Sequence, residues 1–451
     1  MPPPHRPLLC GFVAIAVAIA FADSSIVVLA LPELYARFHT TVVGVSWVVT
    51  GYNLAVAAAA LTLVTLVDRA PAARLLTMGV AVFVAASVAC ASAGSLAFLV
   101  GARCVQGIGA ALLLAGALPM LRALTGAPAR GAAIWTLAGT FGAVLGPALG
   151  GAVTQALGWR AIFVVQAPLG AAALVAVPFV RIEETPAQAA EPLRRMMPGN
   201  ACLALLFGAL VGVLFLAVLL VIDAWGHSPL GGAAIVSALP VATLAARPLA
   251  RRLAPPLAVC GGAALLALGL VALAQLPSAS AAELMVALAL SGAGVGLAVP
   301  PLSTRVLDLG AGMARSGTLT IGIRHLGLVL ALAAIAPILA GVLPEAGRRA
   351  TLRATAVLLD APVPLTKKVP VAIDMAKEFE RARAGQLPDL AGPFDAHGAS
   401  SDRKLAGARD RVAGAIEQAI TRAFRPAFLF AAALAAAALV LATAPRRRVA
   451  G

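Results

Sequence analysis

Apolar residues in this chain come in long blocks separated by short polar breaks. LLCGFVAIAVAIAFADSSIVVLALP stands near the start, and PAFLFAAALAAAALVLATAP near the end. Each block is close to or above the ~20 residues an α-helix needs to cross the hydrocarbon core of a bilayer. That criterion predicts about twelve spans, at 8–31, 45–67, 75–94, 96–120, 132–156, 160–180, 200–222, 231–250, 256–276, 281–303, 317–342 and 424–444. The eighth is the weakest, because Pro240 and Arg247 fall in its second half. The blocks lack the period-two alternation of membrane strands, which excludes a β-barrel. The expected class is an all-α membrane protein. Ala20-Phe21-Ala22 has the small-residue pattern of a signal-peptidase site, but the apolar run continues to Leu31, so an uncleaved first helix is expected.

Composition agrees with that pattern. Of the 451 residues, 61% are hydrophobic and 12% charged, against about 25% charged in a typical soluble domain. Charge then sets orientation. With the N-terminus inside, 16 of the 34 basic residues fall in inner segments and only Arg37 and Arg160 in short outer loops. This asymmetry predicts both termini on the cytoplasmic side of the cell (inner) membrane. The net charge of +15 is therefore largely a topology signal. Because the basic residues are spread over loops, nucleic acid is not an expected partner. The five cysteines lie in or beside spans without CxxC spacing, and the five histidines are scattered, so neither disulfide nor metal is expected. No cofactor is expected, and the absence of GxxxxGK[ST] argues against ATP-driven transport. A membrane enzyme would need clustered catalytic groups, and no such cluster is present.

A charged, proline-containing stretch, RIEETPAQAAEPLRR at 181–195, divides the spans six and six. The expected organisation is a first six-helix half over 1–180 and a cytoplasmic link over 181–199. Helices 7–11 follow over 200–344, then a long extracytoplasmic loop over 345–423, and helix 12 with a cytoplasmic tail over 424–451. Two six-helix halves related as repeats are a layout of secondary transporters.

GAVLGPALGG, residues 142–151, places Gly142, Gly146, Pro147, Gly150 and Gly151 inside an apolar run. In a soluble helix these five residues would cost about 7 kcal/mol relative to alanine. In lipid, small residues instead allow helices to approach closely. Gly142, Gly146 and Gly150 recur every four residues and so share one stripe, while Pro147 frees a carbonyl and permits a bend. The plain reading is helix packing; the functional one is a smooth contact along which a neighbouring helix moves.

Asp23 is the one acid placed well within a span. It lies ~12 Å from the outer end of the first helix, and Arg103 lies ~10 Å from the outer end of the fourth. The matching depths make a pair feasible. Such a pair is either a structural salt bridge or a proton-responsive site. Gln106, one turn from Arg103, is expected to face the same space. Arg324 either snorkels to the inner surface or faces a cavity. Trp47 and Tyr52 are candidates for lining that cavity or for anchoring at the interface. Asp68 and Arg69 are expected to form an inner-loop ion pair. No residue is assigned a catalytic role.

These motifs resemble a known family. GAVLGPALGGAV fits GxxxGPxxGGxx at every fixed position and resembles the fifth-helix antiporter signature of drug/proton antiporters in the major facilitator superfamily. FLVGARCVQGIGAA, with Arg103, Gln106, Gly107 and Gly109, resembles that group's fourth-helix motif. FADSSIVVLALP, WVVTGYNL, GWRAIFVVQAPLG, IRHLG and FRPAF resemble landmarks of its branch that usually has fourteen spans, in the family order. The resemblance implies the major facilitator fold. It also implies proton-coupled efflux of small organic or drug-like compounds by alternating access, and a glycine motif at a contact between the halves. The expected partners are a small-molecule substrate, protons and membrane lipid, with the chain a monomer. There are departures. Twelve spans stand where that branch has fourteen, and Pro71 and Ala72 occupy a glycine region of the inner loop LVDRAPAARLL. Ala161 replaces a common tryptophan, and Gln166 a common asparagine. A non-transporting sensor or structural paralogue is the alternative they leave open.

Overall fold

The computed structural model describes residues 6–180, 193–307, 312–381, 388 and 390–443, and every regular element among them is helical. In the first half, α1 (Arg6–Ile26) continues through a 3-10 turn into α2 (Leu31–Arg37). It is followed by α3 (Val42–Leu63), α4 (Ala72–Ala91), α5 (Leu96–Thr125), α6 (Pro128–Leu157) and α7 (Arg160–Ala171). The second half holds α8 (Leu193–Val218), α9 (Pro229–Val236), α10 (Ala238–Arg252), α11 (Pro255–Ala274), α12 (Ala281–Val306) and α13 (Met313–Asp360). After α14 (Leu365–Arg381), α15 (Ala391–Asp395) and α16 (Arg403–Ala423), α17 (Arg425–Thr443) returns to it. Among the described residues, eleven helices are long and apolar enough to cross a membrane, and a twelfth is counted if the bent α6 is one span. Most of the expected link 181–199 lies outside the described residues; α8 begins at Leu193.

Local chemistry sets several of these boundaries. Thr41 and Ser95 cap α3 and α5 by accepting the amides of Gly44 at 3.0 Å and Phe98 at 3.3 Å. Gly126, at φ 67°, closes α5 in the left-handed conformation that favours glycine. The two parts of α6, Pro128–Ala143 and Leu145–Leu157, meet at 45°. Pro147 cannot donate to the carbonyl of Ala143, which places the break there. The eighth span breaks at Ser237, between α9 and α10, shortly before Pro240.

Among its described residues, the stretch 345–423 is largely helical. α13 runs for 48 residues, about 72 Å at 1.5 Å per residue, more than twice the ~30 Å hydrocarbon core. Its last turns pack on α16, with α14 alongside, around buried Leu358, Val371, Met375, Phe394, Leu405 and Val412. Lys367 of α14 donates to Asp402 at 2.8 Å, and Asp402 caps α16 through the amides of Lys404 and Leu405. These hydrogen bonds, the one from Lys367 foremost, hold the Asp402 carboxyl below the usual carboxylate range. This helical cap marks one end of the bundle.

The halves touch at two levels. Near the cap, Gly151 of α6 lies against Pro229 and Ala233 of α9. Toward the other end, Gly322 of α13 lies against Leu61 of α3, and Gly317 against Leu118 of α5. Between the levels a cavity of about 20 Å³ remains. That is room for a water molecule, not for a drug-sized ligand.

Candidate functional site

Asp23 of α1 and Arg103 of α5 form an ion pair with both side chains fully buried. Arg103 also donates to the Val48 carbonyl at 3.0 Å, to Gln106 Oε1 at 2.7 Å and to the Asp23 carbonyl at 3.3 Å. The second Asp23 oxygen accepts from Gln166 Nε2 of α7 at 2.7 Å. Gln106 Nε2 in turn donates to Ser87 of α4 at 2.9 Å and to Gln166 at 3.2 Å. The arrangement is a closed polar ring among helices of one half. Tyr52 closes one side: its ring lies 4.3 Å below the guanidinium, and its hydroxyl donates to the Ala20 carbonyl at 2.7 Å. Each charge in a membrane core costs ~2.5–3.5 kcal/mol on insertion scales, and pairing with full hydrogen bonding offsets that cost.

α1 also faces the second half. Phe21, two residues before Asp23, stacks on His325 of α13 with centroids 6.0 Å apart and planes 8° apart. His325 Nδ1 lies 2.7 Å from Asn53 Oδ1 of α3, which also accepts from Ser24 at 2.9 Å. Since Asn53 Oδ1 only accepts, Nδ1 is the protonated nitrogen and donates across the two halves. The Arg324 guanidinium lies over Phe21 at 4.1 Å and over Phe207 of α8 at 3.6 Å, one ring from each half.

The sequence profile described as Major Facilitator Superfamily matches residues 13–332. The chain belongs to the Major Facilitator Superfamily. Among curated relatives, the drug efflux pump JefA of Mycobacterium tuberculosis is 37% identical over 171 residues, covering 37% of this chain and 34% of that protein. The tetracenomycin C resistance and export protein of Streptomyces glaucescens is 37% identical over 166 residues, covering 36% and 31%. The methylenomycin A resistance protein of Bacillus subtilis is 36% identical over 165 residues, covering 36% and 35%. The matched region thus spans about a third of these relatives' length. Two structures of a bacterial homolog to the human lysosomal transporter Spinster share the fold. The unoccupied one has a TM-score of 0.58 at 14% identity over 97% of this chain and 98% of that one, and the occupied one 0.62 at 16% over 96% and 97%.

Within this superfamily member, Asp23, Arg103 and Gln106 come together as one network. The glycine stripe does not lie between the halves as the resemblance implied. Gly142, Gly146 and Gly150 face Ala18, Ala22, Ser25 and Ile26 of α1, in the same half. Of the five motif residues, Gly151 reaches the other half. The reason is angular: Gly151 follows Gly150 by ~100° around the helix and leaves the stripe that α1 fills. Trp47 is 44% exposed on the outside of the bundle, away from the cavity. Buried Tyr52 lies five positions further on, or ~140° around α3. Tyr52 faces Arg103 and His325 and does not line the cavity. Arg324 does line it and is 9% exposed, so it does not snorkel. Arg69 is exposed in a 3-10 turn (Val67–Arg69), and the Asp68 side chain lies outside the described residues.

Sequence reasoning missed Asn53, Gln166 and His325 as members of the site. Each is a lone polar residue in an apolar span, which is a usable signal. Phe21 carries none, because a buried phenylalanine and a lipid-facing one read alike.

Proposed function

We propose that the protein is a secondary active transporter that exports small organic compounds in exchange for protons by alternating access. The observation that carries this reading is the double attachment of α1. One face ties Asp23 to Arg103 inside the first half, and the other lays Phe21 on Arg324 and His325 of the second. A proton taken by Asp23 removes the charge that holds the Arg103 fork. α1 then loosens from α5 and carries Phe21 with it, which weakens the contact between the halves. Gln106, Gln166 and Tyr52 hold the pair in register and keep water out. The arginine asymmetry supports an inner-membrane orientation with both termini cytoplasmic and the helical cap outside. The relatives named as an efflux pump and as a resistance and export protein support the direction of transport.

The test is substrate-induced proton movement in reconstituted vesicles. Asp23→Asn keeps the size and removes titration, so it should abolish coupling while substrate binding survives. Wild-type coupling in Asp23→Asn would move the proton site elsewhere. Binding without transport by the wild-type protein would instead favour a non-transporting sensor.

A further inference from the structure

The cavity between the halves has an unusual polar inventory. Its lining includes Phe21, Trp135, Thr136, Phe207, Ser303 and Arg324, and among the described residues no carboxylate lines it. Arg324 is nine-tenths buried, yet its Nε has no hydrogen-bond partner, and no ion pair is formed by it among the described residues. Trp135 Nε1 and Thr136 Oγ1, on the α6 wall, are also buried without partners. Asp23, the acid of the neighbouring network, is saturated by Arg103 and Gln166. Among the described residues the space is therefore lined by one uncompensated cation, one free N–H donor and one unpartnered hydroxyl, that of Thr136. The Thr140 and Thr320 hydroxyls donate to backbone carbonyls of their own helices, Ser303 adds a further hydroxyl, and the other lining residues are aromatic, aliphatic or glycine.

From this geometry we propose that Arg324 is the anion-recognising residue of the transport cavity, and that the substrate class is aromatic carboxylates or comparable aromatic anions. A planar guanidinium accepts a carboxylate on its fork, and the exchange of an unpaired buried cation for a paired one favours binding. Trp135 Nε1 and the Thr136 hydroxyl supply further donors, which suit an acceptor-rich ligand; the indole N–H is a donor only and offers nothing to an ammonium. The aromatic requirement comes from the stacking. Phe21 and Phe207 cover the two faces of the guanidinium, one from each half. When the halves separate, at most one ring remains, and the exposed face is open to a ring of the ligand. Gly139 leaves the space in which Phe21 sits, because a Cβ there would meet the Phe21 ring at 2.6 Å. The closed cavity is too small for such a ligand, so binding belongs to the separated state, and ligand and Phe21 compete for Arg324.

The inference rests on the transport reading only in calling the ligand a substrate. It is tested by equilibrium binding to the purified full chain in lipid nanodiscs, without a proton gradient, so that failure of coupling and failure of recognition are distinguishable. Saturable binding of radiolabelled 2-naphthoate is measured, with 2-naphthamide, 2-naphthylmethylammonium and cyclohexanecarboxylate as competitors. The wild-type protein should prefer naphthoate to the amide and to the ammonium by roughly ten-fold or more, the scale of a charge-assisted contact. Cyclohexanecarboxylate, which keeps the anion and lacks a π face, should compete more weakly than naphthoate. Arg324→Gln should lose that preference for the anion while amide binding persists, which also reports an intact fold. Arg324→Lys should keep the order of preference at reduced affinity. Absence of saturable naphthoate binding, equal or better competition by the ammonium, or an unchanged preference in Arg324→Gln would each overturn the proposal.

Discussion

Arg103 shows what a single side chain does when its geometry matters more than its charge. Its nitrogens reach Asp23, Val48 and Gln106 at once, and its plane lies on Tyr52. Lysine has the charge but neither the fork nor the flat face. Arg103→Lys should therefore leave Gln106 or the Val48 carbonyl short of a donor, at about 1–3 kcal/mol for each buried group so left. Substrate-driven proton uptake should fall at least as steeply as in a neutral Asp23 variant, although the net charge is unchanged. Proton flux in vesicles matched for protein content reads this directly. Near-normal flux in Arg103→Lys would reduce the residue to a counter-charge. The pair itself was legible in the sequence, because two charges at one depth in neighbouring spans need each other. Gln166 was legible only as a departure from a common asparagine. Its extra methylene lengthens the arm with which it spans from Asp23 to Gln106, a reach that no spacing rule exposes.

At the scale of elements, the glycine motif fastens α1 rather than separating the halves. Built Cβ atoms on Gly142, Gly146 and Gly150 would strike backbone or hydroxyl atoms of α1 at Ala18, Ser25 and Ile26. The contact is thus backbone on backbone over about two turns, centred on the segment that carries Asp23. This refines the packing reading: the stripe sets how close α1 comes, and hence where its carboxylate stands. Gly150→Leu should push α1 away from α6 at an overpacking cost of about 1–3 kcal/mol. Export should be blocked while membrane insertion and expression persist, because the span remains apolar. Transport assays normalised to surface-labelled protein decide the matter, and wild-type export by Gly150→Leu would remove the close-packing argument. The periodicity of the glycines revealed one stripe. Which helix fills that stripe depends on how six helices pack together, and sequence period alone carries no such information. The same limit applies to α13: the apolar run ending near 342 was legible as a span, whereas its helical continuation to Asp360 depends on packing against α16.

At the scale of the whole molecule, the structure is closed at both levels, and alternating access requires the two levels to open in turn. The six-plus-six layout was legible because bilayer thickness imposes span length. The contacts between the halves were not, since at each end a glycine meets an ordinary apolar neighbour, as Gly151 meets Ala233 and Gly322 meets Leu61, with no distinctive pattern. They nonetheless locate where motion must occur. Gly151 lies against Ala233 at the cap end, with the Pro229 carbonyl beside it. Opening at that end must part α6 from α9, while Arg324 and His325 exchange their contacts with Phe21 below. A pair of cysteines, Gly151→Cys with Ala233→Cys, in a background freed of the five native cysteines, should form a disulfide under mild oxidation. The bridged protein should lose export, and reduction should restore it, because the lock holds one end shut without touching Asp23 or Arg324. It should still bind substrate presented at the opposite end, since Leu61, Leu118, Gly317 and Gly322 there remain free to part. Export at the wild-type rate by fully bridged protein would mean that α6 and α9 do not separate during transport, and the path would have to run between another pair of helices.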